Sequence, residues 1–193
     1  MIPEDAVCLD LDTIDNADAS RKLACVAIYA RFLKVDNTYS CQLVFSRSKI
    51  LPSNITQPRA ELYAATVNSH TGEVVKRSFR HLHKCRVKLT DSQVVIYWIN
   101  DKPVNQWVRN RVVEIQRFSK PEEWKYVQAC DMIADLGTRP VKDLRLVSQE
   151  SEWINGYSWI KRKQSDFPTK SIKEIKLTQN DIIELQKESP IKF

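Results

Sequence analysis

The feature that most constrains this fold is a change in the spacing of apolar residues at Pro58. Before it, residues 23–32 are apolar and β-prone, and residues 39–47 alternate more loosely after the turn-like pair Asp36 and Asn37. From Pro58 the apolar side chains recur with a helical period, and proline is tolerated at a helix start. The pattern therefore predicts a β-hairpin followed by a long helix that ends by His81.

The later chain predicts shorter elements of both kinds. A strand is expected ahead of the hairpin, short and ending near Asp18, because Asp15 and Asn16 are unusual inside a buried strand. The elements expected after the long helix are a strand over 86–90, a helix over 92–99, a basic amphipathic helix over 106–118, a strand over 124–127 and a helix beginning within 131–136. This order predicts an α/β fold with a mixed sheet, an antiparallel meander joined by helical crossovers to later strands.

The length of 193 residues, 42% of them hydrophobic, suffices for one sizeable core plus a tail. We expect an N-terminal extension over 1–12, a domain over 13–145, and a Trp-containing segment with a C-terminal tail over 146–193. Residues from about 161 have the composition of a linker, apart from one short helix over 177–187. The net charge of +6 favours polyanionic partners, although a basic soluble protein would carry the same charge.

Several classes of protein are disfavoured by composition. Only three glycines occur, so a Gly-rich phosphate loop is excluded. The five cysteines show no CxxC or CxxH spacing, which argues against a zinc module or a disulfide framework. No apolar run approaches the length of a membrane span, and no signal sequence is recognisable. We therefore expect reduced thiols and an intracellular protein, cytoplasmic or nuclear, neither secreted nor transmembrane.

Four acidic residues stand at the ends of predicted elements. Asp18 ends the first strand, Glu61 lies in the first turns of the long helix, Asp91 closes the fourth strand, and Asp135 begins the last helix. In a sheet whose first and fourth strands are neighbours, all four can meet at one end. Crowded carboxylates repel one another unless cations bind there, and Mg²⁺ prefers hard oxygen ligands. Two ions roughly 4 Å apart would clamp a scissile phosphate, as in phosphodiester hydrolysis.

These residues lie in an ordered series of motifs. The motifs are Asp18-Ala19-Ser20, Pro58-Arg59-Ala60-Glu61-Leu62, Leu89-Thr90-Asp91-Ser92-Gln93, Glu123-Trp124-Lys125-Tyr126-Val127 and Ala134-Asp135-Leu136-Gly137-Thr138-Arg139. In order and spacing, over about residues 13–160, the series resembles the ribonuclease H region of Pao/BEL-type retrotransposon polyproteins. Ahead of Ala134, this chain has Met132-Ile133 where that family usually has Asn-Pro.

The resemblance implies a ribonuclease H-like fold, with a five-stranded mixed sheet flanked by helices. It implies hydrolysis of RNA in RNA–DNA hybrids, with Asp18, Glu61, Asp91 and Asp135 as catalytic residues and ligands of two Mg²⁺ ions, for which Mn²⁺ could substitute. The implied partners are an RNA–DNA hybrid and the reverse transcriptase and integrase regions of a parent polyprotein. The candidate nucleic-acid contacts are Ser20, Arg59, Ser92, Gln93, Arg109, Arg111 and Arg139.

Other interpretations remain open from the sequence. Asp10, Asp12 and Asp15 compete with Asp18, which the following Ala-Ser favours. Glu61 could be an ordinary first-turn glutamate, the other acids could be helix caps, and the arginines could form a solvated helix face. A catalytically decayed fragment that only binds nucleic acid or a partner is the alternative function, and an integrase-type transferase fits the acidic pattern less well.

Overall fold

The computed structural model describes residues 6–101, 103, 105–140 and 143–188. Residues 1–5 of the predicted N-terminal extension therefore lie outside the described residues. The strands are β1 (Ala6–Ala19), β2 (Leu23–Lys34), β3 (Tyr39–Ile50), β4 (His83–Thr90), β5 (Trp124–Val127) and β6 (Thr169–Lys170). The α-helices are α1 (Gln57–Ser78), α2 (Gln93–Asn100), α3 (Gln106–Phe118), α4 (Glu152–Asn155) and α5 (Gln179–Lys187).

The strands form one mixed sheet in the order β3-β2-β1-β4-β5-β6. β1 pairs antiparallel with β2, as does β2 with β3, whereas β1 with β4 and β4 with β5 are parallel. The predicted mixed sheet is confirmed, but it has six strands and not five. The additional strand, β6, has two residues and pairs antiparallel with β5, which is too short to leave a periodic signal in the sequence.

Strand β1 is 14 residues long, not the short strand that its polar residues predict. Its buried Asp15 accepts a hydrogen bond from the equally buried Lys88 of β4 at 2.8 Å. The amide of Asn16 donates to the backbone carbonyl oxygens of Ala27 at 3.2 Å and Ile14 at 3.3 Å. Each of these two buried side chains thus has at least one partner, although Asp15 Oδ1 has none among the described residues, and these bonds offset part of the penalty that would have ended the strand.

Helix α1 packs on one face of the sheet through small residues. Ala17 and Ala24 of the sheet meet Ala60 and Ala64 of the helix in one buried cluster. At Gly72, a Cβ atom would lie 2.2 Å from Asp15 Oδ2, so only glycine lets the helix approach the buried ion pair this closely. Helices α2 and α3 extend this layer over a cluster that includes Val95, Ile99, Val108, Ile115 and Trp124.

The opposite face of the sheet is covered by the chain after β5. Ile133, Trp159 and Phe167 pack there with Ile14 and Tyr29 in one buried cluster. Phe167 and the pairing of β6 show that part of the segment for which a linker was expected packs on the domain. The helix predicted to begin within 131–136 is a 3-10 helix over Ile133–Gly137.

The helices and cysteines bear on the expectations about membrane spans and thiols. In the residues that the structure describes, no helix is long and apolar enough to cross a membrane. The four cysteines among them that can be assessed, Cys25, Cys41, Cys85 and Cys130, carry free thiols.

Candidate metal centre

Three of the four predicted carboxylates meet at the end of the sheet where β1 and β4 finish. One side-chain oxygen from each of Asp18, Glu61 and Asp91 lies within 4.8 Å of those of the other two. Asp18 is the penultimate residue of β1, Glu61 is on α1, and Asp91 follows β4 directly. The parallel pairing of β1 with β4 brings the two aspartates together, and the close approach of α1 adds the glutamate.

Glu61 is held by hydrogen bonds to both carboxylate oxygens. The backbone N–H of Ala19 donates to Oε2 at 3.2 Å, and the Gln57 amide donates to Oε1 at 2.6 Å. The same Gln57 amide nitrogen lies 2.6 Å from the carbonyl oxygen of Ala19. Gln57 thereby ties the first turn of α1 to the end of β1, and fixes the glutamate beside Asp18.

Asp18 is held from the other face of the sheet. The Thr138 hydroxyl donates to Asp18 Oδ2 at 2.8 Å. Thr138 follows the 3-10 helix, whose Gly137 lies against β2: a Cβ at that glycine would come within 2.2 Å of Cys25 Sγ. A larger residue at 137 would have to displace the Cys25 side chain, so glycine favours the position from which Thr138 reaches the carboxylate.

The electrostatics of the group resist three simultaneous negative charges. Burial raises the pKa of Glu61 well above its ordinary value, and the neighbouring Asp91 and Asp18 carboxylates raise it further. Burial, followed by repulsion from Asp18, raises the pKa of Asp91 to about 7. Burial also raises the pKa of Asp18, although the hydrogen bond from Thr138 opposes this. Such a group is stabilised by a cation between the oxygens.

The donor set fits a divalent cation with oxygen ligands. Within the part of the chain that the structure describes, no Lys or Arg forms an ion pair with Asp18, Glu61 or Asp91. Mg²⁺ takes carboxylates and retains several waters, so three carboxylates leave coordination positions for substrate oxygens. The three residues could therefore hold Mg²⁺ or Mn²⁺.

Asp135 lies near this group but outside it. Its Oδ1 accepts a hydrogen bond from Arg139 Nε at 2.7 Å, in an ion pair between side chains that are 29% and 70% exposed. Its charge nevertheless contributes to the raised pKa values of Asp18 and Asp91. Asp135, the fourth predicted ligand, is thus close enough to affect the pKa values of Asp18 and Asp91, while its carboxylate forms an ion pair with Arg139.

The competing acids of β1 have other partners. Asp15 is paired with Lys88, and Asp12 lies 3.5 Å from Arg31. The side chain of Asp10 lies outside the described residues.

The predicted nucleic-acid contacts differ in their local partners. Ser92 caps α2 by accepting from Val95 N–H, and Ser20 accepts from the backbone of Lys22 and Leu23 in the turn after β1. Gln93 has a buried Oε1 that has no hydrogen-bond partner among the described residues. The arginines behave differently: Arg109 is exposed, Arg139 pairs with Asp135, and Arg59 and Arg111 both contact the ring of Trp107.

Sequence reasoning missed the two residues that hold the carboxylates in place. Gln57 lies one helical turn before Glu61, an i, i+4 spacing that predicts contact only once the helix start is known. Thr138 lies inside the last acidic motif, but its contact with Asp18 spans 120 residues, which no local pattern encodes.

Comparison with known proteins gives one family and a set of distant structures. The family model of the Pao retrotransposon-like RNaseH-like domain matches residues 12–92, which include Asp18, Glu61 and Asp91. No curated protein matches.

Among solved structures, the N-terminal RNase H domain of rv2228c from Mycobacterium tuberculosis, determined as a fusion with maltose-binding protein, is 13% identical with a TM-score of 0.43. The alignment covers 64% of this chain and 86% of that one. RNase H1 from the halophilic archaeon Halobacterium salinarum NRC-1 is also 13% identical, with a TM-score of 0.40 and coverage of 65% and 90%.

Proposed function

We propose that this chain is a Pao retrotransposon-like RNase H-like domain, the family whose model matches residues 12–92, and that it is a metal-dependent endonuclease that hydrolyses the RNA strand of RNA–DNA hybrids. The observation that carries the proposal is the buried group of Asp18, Glu61 and Asp91 at the end of β1 and β4. Carboxylates that are buried, close together and not paired with cationic side chains are costly to a fold, and this cost is offset when divalent cations bind.

In this proposal, the bound divalent ions would activate water and stabilise the charge on the leaving oxygen. The residues of the chain supply the positions. Gln57 and the Ala19 N–H hold Glu61, and Thr138 holds Asp18, so the ligand oxygens are oriented before the ions arrive. Because recognition of a hybrid depends on backbone shape and ribose 2′-hydroxyls, we expect cleavage to be largely independent of sequence.

Asp135 is proposed as the fourth acidic residue of the centre, at its solvent side. Its bond to Arg139 would have to break or rearrange for a carboxylate oxygen to reach an ion. In the folded chain without metal, the arginine balances the charge of Asp135 beside an already acidic group.

The experiment is incubation of the protein with an end-labelled RNA–DNA hybrid and Mg²⁺. We expect RNA fragments that appear with the parent protein, disappear with EDTA, and are absent with Asp91→Asn. Cleavage of equal rate by the parent and Asp91→Asn would identify a contaminating nuclease and contradict the proposal, as would no cleavage by a folded parent protein.

A second candidate is a domain that binds nucleic acid without hydrolysis. The ion pair of Asp135 with Arg139 is the observation that favours it, since it withholds one predicted ligand. Calorimetry separates the two candidates: binding of Mg²⁺ or Mn²⁺ that both Asp18→Asn and Asp91→Asn abolish supports a working metal centre. Hybrid binding without any metal binding would support the second candidate.

A further inference from the structure

The residue that follows α5 returns to the start of α1. Glu188 Oε1 accepts a hydrogen bond from the Thr56 hydroxyl at 2.8 Å, and its Oε2 accepts one from Arg59 Nε at 2.7 Å. The Glu188 side chain is only 7% exposed, although it belongs to the C-terminal segment. Both oxygens of a carboxylate are therefore held by donors of another element, and shielded from water.

This contact lies at the start of α1, the helix that carries Glu61. Thr56 precedes α1 as its N-cap. An N-cap threonine usually accepts a hydrogen bond from the backbone of its own helix, but the Thr56 side chain does not. Arg59 is two residues before Glu61, about 3 Å along the helix axis, and its side chain leaves the helix on a different side from that of Glu61. Gln57, which lies between Thr56 and Arg59 in sequence, donates a hydrogen bond to Glu61. An anion at Thr56 and Arg59 thus sits next to the turn that holds a proposed metal ligand.

A second arginine lies near the one that binds Glu188. The Arg59 guanidinium lies 5.2 Å from the centre of the Trp107 ring, and the Arg111 guanidinium lies 3.8 Å from the same centre. Two guanidinium groups thus make cation–π contacts with one indole ring. Arginine binds the oxygens of a carboxylate and of a phosphate with the same fork geometry, so a ligand phosphate could replace Glu188.

We propose that Thr56 and Arg59 bind a backbone phosphate of the nucleic acid, and that Glu188 occupies this position in the free protein. The C-terminal segment then acts as an internal competitor, and the hybrid must displace Glu188 to bind fully. This inference rests on the proposed nucleic-acid substrate, but it does not depend on hydrolysis.

The element that carries Glu188 is suited to displacement. Helix α5 has nine residues, which is below the length at which a helix is stable alone in water. Leu185 packs against the cluster that contains Trp98 and Trp107, whereas Ile182 and Ile183 remain exposed. Among the described residues of α5, Leu185 is the apolar side chain that joins a buried cluster, and the two hydrogen bonds of Glu188 add a polar attachment at the end of the helix.

The test is hybrid affinity in EDTA, measured by fluorescence anisotropy of a labelled RNA–DNA hybrid with the full chain. We expect Glu188→Gln to bind about tenfold more tightly than the parent, since it removes the competing charge. Glu184→Gln is the matched control: it makes the same charge change one turn earlier on α5, where no contact with Thr56 or Arg59 is present. Its affinity should stay close to that of the parent.

Arg59→Ala completes a double-mutant cycle. Arg59→Ala alone should weaken hybrid binding. When Glu188→Gln is added to Arg59→Ala, the hybrid affinity should increase no more than when Glu184→Gln is added. Thr56→Val provides a second route to the same cycle if Arg59→Ala does not fold, as judged by circular dichroism. Equal effects of Glu188→Gln and Glu184→Gln would overturn the inference, as would a Glu188→Gln gain that persists without Arg59, or no hybrid binding by either protein.

These outcomes differ from those that test hydrolysis. If Glu188→Gln raises the affinity for the hybrid but the protein cleaves nothing in Mg²⁺, competition by Glu188 is supported and the nuclease proposal is contradicted. If the protein cleaves the hybrid but Glu188→Gln has the same affinity as Glu184→Gln, the nuclease proposal is supported and competition by Glu188 is contradicted.

Discussion

The buried carboxylate group and the 3-10 helix that carries Asp135 represent two kinds of acidic site in one small area. Asp18, Glu61 and Asp91 stand on β1, α1 and the end of β4, and are oriented by hydrogen bonds or strand pairing. Asp135 stands on a single-turn element, partly exposed and bound to Arg139. The difference indicates that three of the proposed ligands are preorganised by the fold, whereas the fourth proposed ligand, Asp135, is held by an ion pair with an exposed arginine.

The largest expected effect is on catalysis at the buried group. Asp91→Asn removes the charge of a proposed ligand and should lower the rate of hybrid cleavage at least about 10³-fold, because several kcal/mol of transition-state stabilisation would be lost. Single-turnover cleavage in Mg²⁺ measures this. Asp166→Asn, an exposed acid outside the group, is the control and should cleave like the parent. A loss below tenfold for Asp91→Asn would mean that the buried group is not the centre.

The second prediction concerns the buried ion pair of Lys88 with Asp15, which joins the same two strands as the acidic group. Lys88 and Asp15 are opposite one another in the β1–β4 pairing, three residues before Asp91 and Asp18 respectively. Lys88→Met leaves the Asp15 carboxylate buried without its partner, and should lower the free energy of unfolding by about 3–5 kcal/mol. Urea denaturation measures this. The double variant Asp15→Leu/Lys88→Met should recover part of the loss, and a purely additive result would contradict the pairing.

The sequence was informative where local patterns decide the structure. The helical period from Pro58 located α1 and thereby Glu61, and the short apolar run before Asp91 located β4. β1 was underestimated because the partners of Asp15 and Asn16 lie elsewhere in the chain, at Lys88 and at the backbone of Ala27. Contacts of this kind offset the cost of burying polar groups, but no local pattern encodes them.

The same limit applies to the C-terminal segment. Its Lys- and Ser-rich composition predicts a linker, and only the short helix was expected. Phe167 and Glu188 attach it to the domain through single side chains whose partners are distant in sequence. Among the candidate ligands, Asp135 was predicted to lie near the other three acids, and it is close enough to raise the pKa values of Asp18 and Asp91. Its bond to Arg139 was not predicted, because it depends on the conformation of a 3-10 turn.

The pH dependence of stability should distinguish the two acidic sites without any substrate. An acid whose pKa is raised by folding stabilises the protein at low pH, and this contribution is lost as the pH rises through the raised value. With the pKa of Asp91 raised to about 7 and that of Glu61 also raised, the unfolding free energy in EDTA should fall between about pH 5 and 8.

Asp91→Asn should flatten this fall, and should make the protein more stable than the parent in EDTA at pH 8. Thermal denaturation across this pH range measures both effects, with Asp166→Asn as the control. Saturating Mg²⁺ should restore the stability of the parent at pH 8. A parent curve that rises between pH 5 and 8 in EDTA would contradict the raised pKa values.

The smallest effect is expected at the exposed site. Asp135→Asn removes a charge that is felt by Asp18 and Asp91 but whose carboxylate is bound to Arg139, so hybrid cleavage should fall by about tenfold only, as for residues that support ligands indirectly. Cleavage rates as a function of Mg²⁺ concentration measure this, with the neighbouring Asp131→Asn as the control. A loss as large as that of Asp91→Asn would show that Asp135 leaves Arg139 and enters the centre when metal and substrate bind. The contrast between preorganised and surface-held ligands would then apply to the metal-free protein alone.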